Sequence, residues 1–177
     1  MRTEFGIERT IAGGAYEQIN CKYIPGYLIP ADLERIAKSM GFEDVKTWAM
    51  QYLLASPGAT VARRLPSGRM HEFQIRTLVP ARNPHEHCIH YENGLCKIHE
   101  VAPFGCAFFD TTISMQESNR RSSMGLQEIM KDWEAKGLYS QVWLMLDAAG
   151  KRAKSARECR DQIDKAYARL KRKENNR

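Results

Sequence analysis

The sequence predicts an α+β protein that is mostly helical, with a β-hairpin and a long C-terminal helix. Two kinds of apolar pattern carry this prediction. Over most of the chain, apolar residues recur at steps of three and four, as on one face of a helix. One stretch instead alternates apolar with polar residues, as in a half-buried strand. With 177 residues, the chain can bury a hydrophobic core without help from a metal.

Helical patterns dominate the first third of the chain. Pro30 suits a first helical turn, and Gly41 is of the type that follows a helix C-terminus. The apolar face between them is formed by Leu33, Ile36, Ala37 and Met40. A second helix is predicted over residues 43–54, and the turn-forming triplet Ser56-Pro57-Gly58 ends that helical stretch.

The β-hairpin is predicted from residues 60–65 and 69–78, which flank the turn Pro66-Ser67-Gly68. In the second strand, apolar and polar side chains alternate with a period of two. The residues that follow, 80–110, are rich in turn formers and predict a loop region. A further helix is predicted over residues 124–136.

The last helix is predicted to be long and continuous, beginning near Tyr139 and reaching towards Lys173. Its apolar stripe, at steps of three and four residues, consists of Val142, Leu146, Ala149, Ala153, Ala156, Cys159, Ile163, Tyr167 and Leu170. Because Cys159 belongs to that stripe, we expect its side chain to pack against apolar neighbours rather than to bind a ligand.

Positive charge is concentrated in this last helix. Residues 151–177 hold 11 Lys or Arg and 4 Asp or Glu, a net charge of +7, whereas the rest of the chain holds 16 basic and 17 acidic residues. Such a run could neutralise nucleic-acid phosphates. Glu158, Asp161 and Asp164 interrupt it, however, as they would on an ordinary solvated helix face. Nucleic-acid binding through the basic tail is therefore one hypothesis, and no recognised nucleic-acid motif accompanies it.

The expected cellular compartment determines whether the cysteines are expected to be reduced or to form disulfides. The chain has no run of about 18 apolar residues that could span a membrane, and its N-terminus shows no apolar signal segment. We therefore expect a cytoplasmic location, where the five cysteines would stay reduced. Reduced cysteines that cluster in a sequence point to metal binding or catalysis rather than to disulfides.

Three of these cysteines fall within 19 residues of turn-rich sequence; they are Cys88, Cys96 and Cys106. Asn93-Gly94 predicts a turn between the first two, and Pro103 with Gly105 bends the chain before the third. Cys21 also lies beside a turn, Pro25-Gly26, and is the candidate for a fourth ligand. These turns can bring the four thiols to one metal centre.

Four thiolates require a soft, positively charged partner. Either Zn²⁺ or a [4Fe–4S] cluster satisfies that requirement, so the residue types do not choose between them. Structural zinc sites commonly use pairs of ligands two to four residues apart, whereas here the gaps are seven and nine residues. The spacing favours the [4Fe–4S] cluster, with Zn²⁺ as the alternative. In the zinc case a histidine could replace Cys21, and the best reserve ligands are His87 and His99.

The order of these elements resembles that of the cysteine-cluster family of zinc- or iron-chelating proteins, which is related to the cysteine region of flagellin lysine methylases. The likeness covers roughly residues 15–110. It consists of Cys21 followed by residues 28–36, the strand region, the segment 88–99, and Pro103-Phe104-Gly105-Cys106. Only Cys21 remains of the family's first group of cysteines, and Ala102 stands where an arginine commonly precedes the proline. The resemblance implies metal chelation and no particular reaction.

We expect residues 1–120 to form a small metal-centred domain and residues 121–177 to form a helical extension. The leading functional hypothesis is an iron–sulphur protein with a protein partner, which passes electrons or supports a modification enzyme. A zinc-stapled structural or adaptor domain is the alternative. Glycine-rich phosphate loops, G-x-S-x-G and H-E-x-x-H are absent from the sequence, so it predicts no catalytic residues.

Overall fold

A computed structural model describes residues 3–4, 7–8, 15–64, 66–109 and 113–175. It confirms the predicted α+β class, mostly helical, with a β-hairpin and a long C-terminal helix. The helices in these ranges are α1 Ala15–Tyr23, α2 Pro30–Ser39, α3 Val45–Tyr52, α4 Phe104–Ala107, α5 Met115–Ala135, α6 Leu138–Ala148 and α7 Ala156–Asn175. A 3₁₀ turn, His99–Val101, precedes α4.

The strands in these ranges form three antiparallel pairs. In order of sequence they are β1 Thr3–Glu4 with β2 Ile7–Glu8, β3 Leu53–Arg64 with β4 Met70–Pro80, and β5 Tyr91–Glu92 with β6 Leu95–Cys96. The β3–β4 hairpin extends beyond the predicted residues 60–65 and 69–78, and residue 65 lies outside the described ranges. Its register shifts between Ser56, which pairs with Thr77, and Ala59, so Pro57 and Gly58 form a bulge inside a strand.

The hydrophobic core joins α2, α3, the inner half of the β3–β4 hairpin, α5 and α6. Its largest fully buried side chains are Trp48, Tyr139, Phe104, Phe108, Leu28, Ile29, Leu33, Ile36, Leu53, Leu78, Ile129 and Leu146. These side chains lie on both sides of residue 120. Their sharing of one core does not test independent folding, so the division at residue 120 stays a prediction.

Tyr139 of α6 fixes the hairpin to the segment before α2. Its buried hydroxyl donates to the carbonyl of Leu28 at 2.8 Å and accepts the N–H of Leu78 at 2.7 Å. The backbone N–H of Leu28 also donates to the carbonyl of Leu78 at 2.9 Å. Burial raises the pKa of the Tyr139 hydroxyl well above its usual value, so the hydroxyl keeps its proton and can donate.

The prediction of one continuous last helix is wrong. Helix α6 ends at Ala148 and α7 begins at Ala156. Gly150 has a φ of +70°, which glycine adopts without steric cost. The N–H of Lys151 donates to Leu146 and that of Gly150 to Asp147, the two bonds of a Schellman motif. The two helices share the apolar steps, since Val142 and Leu146 of α6 and Ile163 of α7 are buried, but Ala149 at the break is exposed.

Helix α7 packs against α1. The hydroxyl of Tyr167 donates to the side-chain oxygen of Asn20 at 2.5 Å, and Ile163 is buried. The backbone of Cys159 belongs to α7, but its side chain lies outside the described part, so its packing role stays a prediction. Nucleic-acid binding by the basic residues of α7 also stays a prediction. No helix in the described ranges is both long and apolar enough to cross a bilayer.

We predict that Tyr139→Phe lowers the free energy of unfolding by roughly 1–3 kcal/mol, because the N–H of Leu78 and the carbonyl of Leu28 would lose a buried partner. Urea denaturation followed by circular dichroism measures the change. Tyr52→Phe is the matched control, since the half-buried Tyr52 contributes its ring and no hydroxyl hydrogen bond to another described residue. Equal stability of the two variants would contradict a structural role for the Tyr139 hydroxyl.

Candidate metal centre

Four thiols converge on one cavity. Its walls include all four predicted ligands, Cys21, Cys88, Cys96 and Cys106. The remaining lining residues are mostly apolar: Pro25, Pro80, His90, Tyr91, Ile98, His99, Ala102 and Pro103. The cavity has a volume of about 30 Å³, counted as the space that the centre of a water molecule can occupy. One water needs roughly 10–15 Å³ counted in the same way. The cavity is thus a real space enclosed by sulphur and apolar side chains.

Backbone hydrogen bonds bring Cys21 and Cys88 together. The N–H of Cys88 donates to the carbonyl of Lys22 at 2.8 Å, next to Cys21 in helix α1. Arg82 strengthens the junction, because its guanidinium donates to the carbonyl of Tyr23 at 2.6 Å and to that of Glu86 at 2.7 Å. A single side chain therefore ties the end of α1 to the loop that precedes Cys88.

The small β5–β6 hairpin places Cys96. Tyr91 pairs with Cys96 across the hairpin, and the N–H of Lys97 donates to the carbonyl of His90 at 2.9 Å. The turn is Asn93-Gly94, with φ of +50° and +85°. Positive φ at both central residues is characteristic of the tight turns that suit two-residue hairpins, and Asn-Gly is their commonest sequence. The turn predicted from the sequence thus folds Cys96 back beside Cys88.

Cys106 is held against the Pro25-Gly26 turn by close backbone packing. The N–H of Gly26 donates to the Sγ of Cys106 at 3.1 Å, and the N–H of Gly105 donates to the carbonyl of Tyr27 at 2.9 Å. A Cβ on Gly26 would lie 2.0 Å from the carbonyl carbon of Gly105. Such contacts are sterically impossible, so this approach requires glycine.

The buried carboxylate of Asp32 anchors the segment that carries Cys106. Its Oδ2 accepts the N–H of Ile29 at 3.0 Å and the N–H of Phe104 at 2.8 Å, at the first turns of α2 and α4. Oδ1 pairs with Arg35, whose guanidinium also donates to the carbonyl of Val101 at 2.8 Å. Apolar periodicity does not mark Asp32, although acidic residues are common in a first helical turn.

The cysteine thiols lie close enough to one another to affect each other's pKa. Burial, with smaller contributions from Cys96 and Cys21, raises the pKa of the Cys88 thiol to about 12, against a backbone hydrogen bond from His90. Burial raises the pKa of the Cys106 thiol well above its usual value, with added contributions from Cys88 and Cys21. Without a cation these two thiols stay protonated at neutral pH.

The histidines divide into two groups. His90 and His99 line the cavity. His90 is stacked on Tyr52 with ring centroids 5.6 Å apart, and burial, followed by the charge of Lys97, lowers its pKa to about 4. It is therefore neutral at physiological pH. Of the two reserve ligands, His99 lies at the cavity, whereas His87 packs edge-on against Tyr23 and is not part of the lining.

Among the described residues, no group of three or more His, Cys, Asp or Glu has the spacing expected of ligands to one metal ion. The four thiols nevertheless line one cavity and couple electrostatically. A cubane cluster fits this donor set, since each thiolate binds a different iron and the sulphurs need not approach a common centre. Four cysteine thiols that line one cavity are a donor set that either a [4Fe–4S] cluster or Zn²⁺ would accept.

Comparisons with protein-family models, with curated protein sequences and with solved structures found no significant match to this chain. The resemblance to the cysteine-cluster family therefore remains an expectation drawn from the residues themselves.

We predict that Gly26→Ala reduces metal loading and stability together, because a methyl group cannot fit between Gly26 and the Gly105 backbone. Gly41→Ala is the control: its Cβ would meet no atom within 4 Å, and only its φ of +80° would cost about 1–2 kcal/mol. Metal analysis and thermal unfolding of both variants measure the effects. Full metal loading in Gly26→Ala would show that the tight backbone contact is unnecessary for the centre.

Proposed function

We propose that this protein binds a [4Fe–4S] cluster and acts in electron transfer or in support of a modification enzyme. The cluster ligands would be Cys21, Cys88, Cys96 and Cys106. The observation that carries the proposal is the convergence of these four thiols, from three separate segments, on one cavity with mostly apolar walls. A bound cluster would supply one-electron redox chemistry.

Backbone N–H groups directed at sulphur support a cluster role. Gly26 donates to the Sγ of Cys106, and a backbone hydrogen bond from His90 reaches the thiol of Cys88. Hydrogen bonds to cysteine sulphur favour the thiolate and are one of the means by which proteins set cluster potentials. Because these donors belong to the backbone, they persist whatever the redox state.

The placement of the four thiols favours electron transfer over substrate activation. If each iron has a cysteine ligand, no iron retains an open position for a substrate. Cys88 is buried, whereas Cys21, Cys96 and Cys106 are half-buried, so the centre lies close to the surface. A protein partner could approach there, which agrees with the expected protein partner.

We expect the protein, prepared anaerobically, to be brown, with absorbance near roughly 400 nm and about four irons and four sulphides per chain. Replacing Cys88, Cys96 or Cys106 singly by Ala should greatly reduce bound iron, because each removes a ligand. Cys159→Ala is the matched control and should retain the cluster. A colourless protein with one zinc per chain would instead establish the zinc-stapled domain.

We expect Cys21→Ser to lose the cluster or to change its spectrum, because a serine oxygen is a harder donor than a thiolate. Electron paramagnetic resonance of the reduced protein, with iron analysis, measures this outcome. An unchanged spectrum and iron content would mean that Cys21 is a bystander and that the fourth ligand is not a cysteine. His99→Ala would then test the reserve ligand that lies at the cavity.

A further inference from the structure

A second concavity, with a volume of about 270 Å³, lies between the β3–β4 hairpin, α6 and the segment that follows α6. We call it the Arg76 groove. Its lining residues are Ala55, Pro57, Gln74, Arg76, Trp143, Asp147, Arg152 and Ala153. None of these lines the cysteine cavity, so the groove is a separate feature of the protein.

Backbone hydrogen bonds fix the walls of the Arg76 groove. The N–H of Ala55 donates to the carbonyl of Lys151 at 2.9 Å, and the N–H of Ala153 donates to the carbonyl of Ala55 at 2.8 Å. The segment after α6 therefore extends the sheet beside β3. On the other wall, the indole N–H of Trp143 donates to the carbonyl of Ser56 at 3.0 Å, which sets the orientation of the ring.

The bulge in β3 gives the groove its shape. Gly58 has a φ of +81° and its Cβ position lies 1.7 Å from the carbonyl oxygen of Ile75, so only glycine allows the two strands to approach here. Bulges bend a strand and increase its twist, and they commonly redirect side chains near functional sites. Pro57, at the bulge, is thereby part of the groove lining.

Arg76 is a cation held in place by aromatic rings rather than by a carboxylate. Its guanidinium carbon lies 4.9 Å from the ring centroid of Trp143 and 5.6 Å from that of Trp133, within the range of cation–π attraction. Arg76 is exposed, and no acidic side chain in the described ranges forms an ion pair with it. Its N–H donors can therefore bind a ligand.

The remaining charges of the groove leave it with a net positive charge. Arg152 forms an ion pair with Asp147 at 2.5 Å, and Arg76 has no such partner among the described residues. The amide of Gln74 adds a neutral donor and acceptor. A guanidinium presents paired N–H donors that match the two oxygens of a carboxylate or a phosphate, and the stacking on two indoles limits the side-chain freedom lost on binding.

We propose that the Arg76 groove binds a small organic anion, in which a carboxylate or phosphate attached to a flat apolar group is held by Arg76. The flat group lies against Trp143 and Pro57. This proposal does not depend on the cysteine centre, because it rests on other residues and needs no metal.

Three probes test the proposal on the full chain at low ionic strength: phenyl phosphate, benzoate and inorganic phosphate. Titration calorimetry measures their affinity, and tryptophan fluorescence reports contact with Trp143. We expect saturable binding of phenyl phosphate or benzoate, and weaker binding of inorganic phosphate, which lacks the apolar group. The comparison between phenyl phosphate and benzoate identifies the preferred anion. Absence of saturable binding by all three probes would overturn the proposal.

Two substitutions in the groove, one that removes a positive charge and one that removes a negative charge, should change the affinity in opposite directions. Arg76→Gln should weaken binding by about tenfold or more, the effect expected from loss of a charge-assisted contact. Asp147→Asn should strengthen binding, because it removes the negative charge of the groove and releases Arg152. Arg169→Gln, an equal loss of charge at an exposed position of α7, is the control and should change the affinity little. Equal weakening in Arg76→Gln and Arg169→Gln, or unchanged affinity in both groove variants, would refute the site.

Discussion

The carboxylate of Asp32 is the constraint on which the arrangement of the cysteine cavity depends. It is fully buried, and it accepts hydrogen bonds from the N-termini of two helices, at Ile29 and Phe104. Both helices direct partial positive charge at it, and Arg35 supplies a full charge. Removing one partner of a buried ion pair costs about 3–5 kcal/mol because the other charge is left uncompensated. Phe104 is two residues from Cys106, so the same carboxylate that caps α2 also sets where that thiol lies.

The rest of the cavity is built on this anchor and on the hydrophobic core beneath it. Tyr139 holds the inner end of the hairpin to Leu28. From that end the backbone continues through Ala81, whose N–H donates to the carbonyl of Tyr52 and whose carbonyl accepts the N–H of Ile89. The residue that precedes Ile89 is Cys88. Each of the four cysteines therefore lies within one residue of a backbone hydrogen bond that fixes a wall of the cavity.

The periodic apolar patterns were sufficient to predict the fold class. The four cysteines that the turn residues singled out line one cavity, and their role as ligands stays a prediction. The Asn93-Gly94 turn and the glycines at positions 26 and 105 have the conformations and contacts that their residue types suggest. Apolar periodicity failed to predict the end of α6. The three- and four-residue steps from Leu146 to Ala153 continue across the Schellman motif that ends this helix. Gly150 was the only local signal of that break, and an isolated glycine is a weak one.

Features that depend on contacts between distant segments could not be predicted from local sequence. Asp32 has the appearance of an ordinary acidic residue in a first helical turn, and its second role requires Phe104, 72 residues later. The Arg76 groove likewise needs a bulge in β3, a ring from α6 and a backbone segment beyond α6. The residue types of Ser56-Pro57-Gly58 are typical of a turn that ends a helix. The triplet instead lies at a bulge, because Ala55 and Ala59 on either side of it both pair with β4.

The burial of the cysteine thiols sets what the proposed metal would have to supply. Backbone hydrogen bonds hold Cys88 and Cys106 in place. A metal would have to supply the free energy of deprotonation, since burial and the neighbouring sulphurs raise the pKa of both thiols. Each proton released counts against affinity at low pH, so metal loading should depend steeply on pH. The N–H of Gly26 reduces that cost at Cys106, because a hydrogen bond to sulphur favours the thiolate.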